Sequence, residues 1–168
     1  MNKKNQKLLF LTQGAMVAAI YVVVTVLLAP LSFGQIQLRV SEMLTILPVF
    51  TPAAVPGLFV GCLIGNIMGG AALPDIIFGS LATLIGALGT WKLRNRGLVL
   101  ACLPPILANA LVVPFVLKYA YGAPLPIPVL MLTVGLGEVA SCGVLGVALG
   151  KVLEKSHVRE ILAGREKA

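Results

Sequence analysis

Residues 39–91 (RVSEMLTILPVFTPAAVPGLFVGCLIGNIMGGAALPDIIFGSLATLIGALGTW) constrain this chain more than any other stretch. They are almost wholly apolar, yet Arg39, Ser41, Glu42, Asn66 and Asp75 sit among them. Prolines and glycines cut the stretch into short helical pieces instead of one long span. An apolar helix of this kind belongs in lipid, where each polar side chain needs a partner, a cavity or a task. Short, broken helices carrying a few polar groups are how membrane proteins build small-molecule sites.

The rest of the chain agrees. Only 11% of its 168 residues are charged and 58% are hydrophobic, with a mean hydropathy of +1.00. A soluble domain carries roughly 25% charged residues. At about 20 apolar residues per span the length allows about six helices with tight loops. The expectation is an all-α integral membrane protein, one membrane domain over residues 1–168, with no room for a separate soluble domain.

The formal charge of +7 would suit a nucleic-acid partner, but its distribution does not. Lys3, Lys4 and Lys7 precede the first apolar run, Lys92, Arg94 and Arg96 fill one short loop, and Lys151, Lys155, Arg159, Arg165 and Lys167 follow the last run. Only Arg39 and Lys118 lie elsewhere. Basic clusters at alternate loops mark the cytoplasmic side. Both termini and the 92–97 loop are therefore expected in the cytoplasm, with an even number of spans in the membrane.

Six transmembrane helices are expected, at about residues 8–30, 39–50, 56–69, 75–91, 98–118 and 128–151. The first apolar run exceeds the roughly 7–15 residues of a signal peptide and reads as a retained helix. The second and third are short for full spans; they tilt, or form a re-entrant pair buried by their neighbours. Residues 31–38 form a loop on the far side, Trp91 and Lys92 make an interfacial pair, and Tyr119 and Tyr121 mark the opposite interface. The tail beyond Lys151, with His157, reads as solvated.

Threaded through this topology, Arg39, Glu42, Asn66 and Asp75 fall in the outer half, with Asn109 and Glu138 near mid-depth. Their shared side points to a substrate pocket opening outward. Each also has a plainer reading. Arg39 and Glu42, three apart on one face, suit an ion pair; Asp75 suits an N-cap; and Asn66 suits an amide bridge between helices. Glu138 lies too deep to reach water and has no basic residue at its depth. Asn109 is its expected neighbour, and together they suit a planar ligand with several hydrogen-bonding groups.

Small residues recur at four-residue spacing in Ala15-x-x-x-Ala19 and in Gly61, Gly65 and Gly69, which lets helices approach closely, within the chain or from a partner. Cys62, Cys102 and Cys142 show no metal-ligand spacing and read as buried small hydrophobes. H-E-x-x-H, C-x-x-C, G-x-S-x-G and the Walker motif are absent from the sequence, so neither an enzyme nor a cofactor or metal site is expected, and the chain lacks that route to ATP hydrolysis.

The run RVSEMLTILPVFTPAAVPGLFVGCLIGNIMGG…LPDIIFGSLATLIGALGT resembles the QueT family of queuosine-precursor transporters, which are substrate-binding (S) components of energy-coupling factor (ECF) transporters. The likeness extends from the first helix to Glu138 and its flanking TVGLGEVAS. It implies a six-helix bundle that captures a 7-deazaguanine from outside and docks on a membrane scaffold subunit driven by two cytoplasmic ATPases. Ala15 and Ala19 match the docking motif of such components. A guanine-like edge presents adjacent N–H donors, which suits Glu138 or Glu42 as anchor. The rival expectation is a self-sufficient proton-coupled carrier with Glu138 as its proton site.

Overall fold

A computed structural model of the protein describes residues 3–28 and 39–156. The expected 31–38 loop, and the tail with His157, Arg159, Arg165 and Lys167, lie outside the described residues. Six helices follow one another: α1 (Lys3–Leu27), α2 (Val40–Val49), α3 (Ala54–Met68), α4 (Asp75–Leu93), α5 (Leu98–Tyr119) and α6 (Ile127–Lys155). No strand occurs among the described residues. Helices α1, α4, α5 and α6, of 25, 19, 22 and 29 residues, are long and apolar enough to cross a membrane. Helices α2 and α3, with 10 and 15 residues, are shorter.

The helix order matches the sequence expectation, and several boundaries shift. Helix α1 begins at Lys3, so its basic head is helical, and α6 runs on to Lys155. Only 33–39% of the most apolar window of each long helix is buried inside the protein. The remainder is apolar and outward-facing, as with Leu11, Ile85, Leu111 and Leu132. Such a surface suits lipid, and the helices satisfy their backbone groups internally.

Helix α2 departs most from expectation. All ten residues are wound as a 3-10 helix, whereas runs beyond three or four residues are uncommon. At about 2.0 Å rise per residue, ten residues reach roughly 20 Å, some 5 Å further than α-helical winding would. Side chains three apart also eclipse one another in this geometry. Glu42 and Thr45 therefore share one ridge, directly after Arg39, and both are fully buried. Two π-helical segments interrupt the other winding, at Asp75–Gly79 in α4 and Val139–Gly146 in α6. Each begins at or beside a buried acid, Asp75 or Glu138.

Glycine contacts weld the bundle. Along α3 the stripe facing α1 is Gly57, Gly61 and Gly65, one turn earlier than the expected Gly61–Gly65–Gly69. A Cβ at Gly57 would come 2.6 Å from the Gly14 carbonyl oxygen, and one at Gly61 would come 2.9 Å from the Tyr21 Cβ. On α1 this contact uses Gly14 and Ala18, whereas Ala15 and Ala19 are exposed. Near the basic loop, Gly86 and Gly89 of α4 receive Pro105 and Pro104 of α5. Pro105 has no N–H for the Ala101 carbonyl four residues back. Thr90 of α4 donates to that oxygen at 2.8 Å. At this end of α4 the Arg94 guanidinium stacks 4.6 Å from the Trp91 ring centroid, so Arg94 takes the place expected of Lys92.

Apolar cores sit on either side of this weld. Val17, Tyr21, Leu44, Leu47, Leu58 and Cys62 fill the space between α1, α2 and α3. Val113, Leu117, Leu130 and Val134 join α5 to α6. Gly57→Ala is expected to destabilise the protein by roughly 1–3 kcal/mol, because the added methyl meets backbone that cannot yield. Gly143→Ala, whose Cβ would have only ordinary contacts at 3.7 Å and beyond, should be neutral. Thermal unfolding of both variants in detergent checks the contrast.

Candidate functional site: a buried acid network

All six residues singled out from the sequence are buried: Arg39 4%, Glu42 0%, Asn66 2%, Asp75 0%, Asn109 2% and Glu138 3% exposed. They come from five helices and their connections, and they belong to one continuous polar network. This is a closed site, where an outward-opening pocket was expected.

Glu42 is at the centre. Its Oε1 accepts hydrogen bonds from the Tyr21 hydroxyl of α1 at 2.5 Å and from the Thr83 hydroxyl of α4 at 3.1 Å. Its Oε2 has no hydrogen-bond partner among the described residues. The Asn109 amide of α5 lies against both Glu42 and Glu138, while Asn109 Oδ1 is buried and likewise unpartnered there. Glu138, Glu42 and Cys142 each offer a ligand atom within 4.8 Å of the others. The Cys142 thiol is 3.2 Å from Glu138 Oε2, 3.4 Å from the Glu42 carbonyl oxygen and 3.3 Å from Thr45 Oγ1. Its single hydrogen serves one of these at a time. Two oxygen ligands and a sulfur could hold a transition metal.

Glu138 is thus not the solitary carboxylate that its depth suggested. Glu42 and Glu138 face each other in apolar surroundings, and among the described residues the buried salt bridge goes to Asp75 instead. Two negative charges at this separation are costly to hold away from water. A shared proton or a positively charged, donor-rich occupant would relieve that cost. The acceptors here outnumber the donors: Glu42 Oε2, Asn109 Oδ1 and the Glu138 carboxyl converge with little to satisfy them.

Arg39 and Asp75 extend the network. The ion pair expected between Arg39 and Glu42 runs instead to Asp75, with Arg39 Nη2 3.0 Å from Oδ1 and 2.9 Å from Oδ2. Pro74, not Asp75, occupies the N-cap position and makes no side-chain cap, which corrects the N-cap expectation. A guanidinium in apolar surroundings gains more from a carboxylate than does one exposed backbone N–H. Gly79 makes room for the pair, since a Cβ there would lie 2.8 Å from Asp75 Oδ1. The Tyr121 hydroxyl donates to Asp75 Oδ2 at 3.1 Å and accepts from the Ala72 N–H at 2.9 Å.

Asn66 and Thr83 connect the Arg39–Asp75 pair to the carboxyls around Glu42. Asn66 Nδ2 lies 3.4 Å from the Asp75 carbonyl oxygen and 3.6 Å from Cys62 Sγ, and Thr83 Oγ1 lies 3.5 Å from the same sulfur. Asn66 therefore bridges α3 to α4, as one of its sequence readings had it. Cys62 and Cys142 are free and buried, yet both take part in polar contacts and are more than apolar filler. Tyr21, Thr25 and Thr83 were not singled out from the sequence, and Tyr121 was read there only as an interface marker. The four-residue stripe Gln13–Val17–Tyr21–Thr25, all buried, was the available signal for α1.

A groove of about 500 Å³ lies elsewhere, lined by Pro74, Phe78, Leu111, Phe115 and Tyr119 among others. It is apolar and faces outward between α4 and α5, so it offers lipid-like surface and lacks the groups of the buried network.

Apolar helices enclosing a network of acids, amides and hydroxyls define a multi-pass membrane protein with an internal polar site. Residues 11–155 match the family described as QueT transporter. The chain belongs to that family. Over 73 residues it is 40% identical to the queuosine precursor transporter QueT of Lactococcus lactis subsp. cremoris (strain MG1363). That match spans 42% of this chain and 43% of the relative. No solved structure matches the chain.

Removing one member of the buried ion pair should strand the other. Asp75→Ala is expected to cost about 3–5 kcal/mol of stability, whereas the double change Arg39→Met with Asp75→Leu should lose much less. Chemical denaturation of the two variants in detergent measures the difference.

Proposed function

We propose that this chain is the substrate-binding subunit of an ECF-type importer and that it captures a queuosine precursor of the 7-deazaguanine class from outside the cell. It acts as one membrane domain of the cytoplasmic membrane of a prokaryote, with both termini inside. The convergence of Glu42, Glu138 and Asn109 is the observation that carries this reading. A guanine-like edge presents adjacent N–H donors that one carboxyl accepts in pairs. An aminomethyl substituent would give the second carboxyl a role, and Asn109 supplies an acceptor for a further donor. The name of the Lactococcus relative supports the substrate class, and membership of the family supports transport.

Arg39, Asp75 and Asn66 serve as the roof of this site, holding α2, α3 and α4 around the ligand. Energy comes from partners: a membrane scaffold subunit and two cytoplasmic ATPases. Ala15 and Ala19 face outward on α1 beside Met16 and Ile20. Internal packing is done by Gly14 and Ala18, which leaves the alanine pair available to a scaffold helix.

The test is calorimetric titration of the purified protein with 7-deazaguanines, with thiamine and riboflavin as controls. A deazaguanine should bind tightly, and Glu138→Gln and Glu42→Gln should each weaken it by about tenfold to a hundredfold, the usual worth of a charged hydrogen bond. Full affinity in both variants would reject the site. Ala15→Leu with Ala19→Leu should leave binding within about threefold while abolishing uptake in cells that carry the scaffold and ATPases, because a bulky face prevents close helix approach.

The facing carboxyls Glu42 and Glu138 also favour one rival, a proton-coupled carrier in which they share the transported proton. That reading requires uptake by the chain alone in proteoliposomes, driven by a pH gradient.

A further inference from the structure

The six network residues are each at most 4% exposed, so a ligand reaches them when elements packed over them move aside. The interfaces differ greatly in what holds them. Helices α1 and α3 meet through Gly57, Gly61 and Gly65 at backbone contact. Helices α5 and α6 share the core of Val113, Leu117, Leu130 and Val134. Helix α6 closes on α2 through Gly146 and Gly150. Helices α4 and α5 are welded at Gly86–Pro105 and Gly89–Pro104, but only at that end. At the other end Asp75–Gly79 still lies beside α5, and an apolar groove opens between Pro74 and Phe78 on one side and Phe115, Tyr119 and Ala120 on the other.

Across that grooved end, among the described residues, the hydrogen bonds come from one side chain. Tyr121, on the connection after α5, donates to Asp75 Oδ2 and accepts from the Ala72 N–H. The groove residues Pro74 and Ala120 immediately precede Asp75 and Tyr121 in sequence. The connection is a compact, self-braced strap: Lys118 Nζ donates to the Ala123 carbonyl oxygen at 3.1 Å, Ala123 N–H donates to the Leu117 carbonyl oxygen at 3.0 Å, and Gly122 takes a positive φ of 66°. Behind the Tyr121 bond lie Asp75, Arg39 and then Asn66.

We propose that the ligand reaches the acid network between the Asp75 end of α4 and the Tyr119 end of α5, and that Tyr121 is the latch on this seam. The ligand's route rests on the binding function above; the opening of the seam does not. Helix α4 pivots about its glycine–proline weld, the Tyr121 bonds to Asp75 and Ala72 break, and the strap leaves with α5. The Arg39–Asp75 pair stays with α2 and α4 as the inner wall of the opening.

Two measurements test it. The first needs no ligand: the rate at which a small methanethiosulfonate reagent labels Cys62 and Cys142 in the site, with buried Cys102 in the separate Ile46–Ala101 core as internal reference. Tyr121→Phe keeps the ring and removes the hydroxyl, and should raise site labelling by roughly tenfold or more, since it removes one hydrogen bond to a carboxylate and one to a backbone N–H. Cys102 should be unchanged, as should all three thiols in Tyr119→Phe, whose ring is 79% exposed. Unchanged site labelling in Tyr121→Phe, or an equal rise at Cys102, would overturn the latch. The second is stopped-flow association of the 7-deazaguanine used for titration. Tyr121→Phe should speed association and dissociation together and leave affinity within about threefold; faster dissociation alone would make Tyr121 a ligand contact and overturn the latch. If no deazaguanine binds, the proposed function fails while the labelling still decides the latch.

Discussion

Glu42 ties this bundle together. One of its carboxyl oxygens takes hydrogen bonds from α1 and α4, through Tyr21 and Thr83, and the same carboxyl faces Glu138 of α6. A carboxyl group so placed in a membrane is tolerable only when its neighbours supply donors from several directions. The helices that supply them are thereby fixed in relative position. The 3-10 winding of α2 follows the same demand, since it brings Glu42 and Thr45 onto one ridge, directly after Arg39. The glycines of α3 and α4 let the donors come close enough to matter.

Much of this architecture was legible from residues alone, because hydropathy and charge act locally. The order of the six helices, the burial of Arg39, Glu42, Asn66, Asp75, Asn109 and Glu138, and the nearness of Asn109 to Glu138 all follow from apolar periodicity and depth. Pairings across helices were not legible. Arg39 and Glu42 look like partners at a separation of three, yet a guanidinium is paired by whichever carboxylate the tertiary fold presents, and that was Asp75. Asp75 in turn does not hold the N-cap position, which falls to Pro74. Glu138 looked solitary because nothing in sequence reveals that a residue 96 positions earlier shares its depth and direction. The 3-10 form of α2 left no local mark beyond Pro48, and the split between the inward Gly14–Ala18 face and the outward Ala15–Ala19 face needed the position of α3.

The network is unequal in a way that suits a binding subunit. At one end Arg39, Asp75 and Tyr121 satisfy one another and close the site. In the middle, Glu42 Oε2 and Asn109 Oδ1 lack partners among the described residues, beside the Glu138 carboxyl. Under the proposed function, buried acceptors give a donor-rich ligand its affinity and penalise one that lacks those donors. The welded end of α4 and α5 and the grooved end are similarly unequal, so the same helices can hold the site rigidly and still admit an occupant. The exposed alanine face of α1 lies apart from both, so under the proposed function capture and docking are separate events.

The most direct test of the central claim is a ligand-bound structure of the protein in lipid, solved with a 7-deazaguanine at saturating concentration. The account predicts ligand density between Glu42, Glu138 and Asn109, with the carboxyl oxygens within hydrogen-bond reach of ligand nitrogens. Density confined to the apolar groove beside Phe78 and Phe115, with the acid network unchanged, would contradict it.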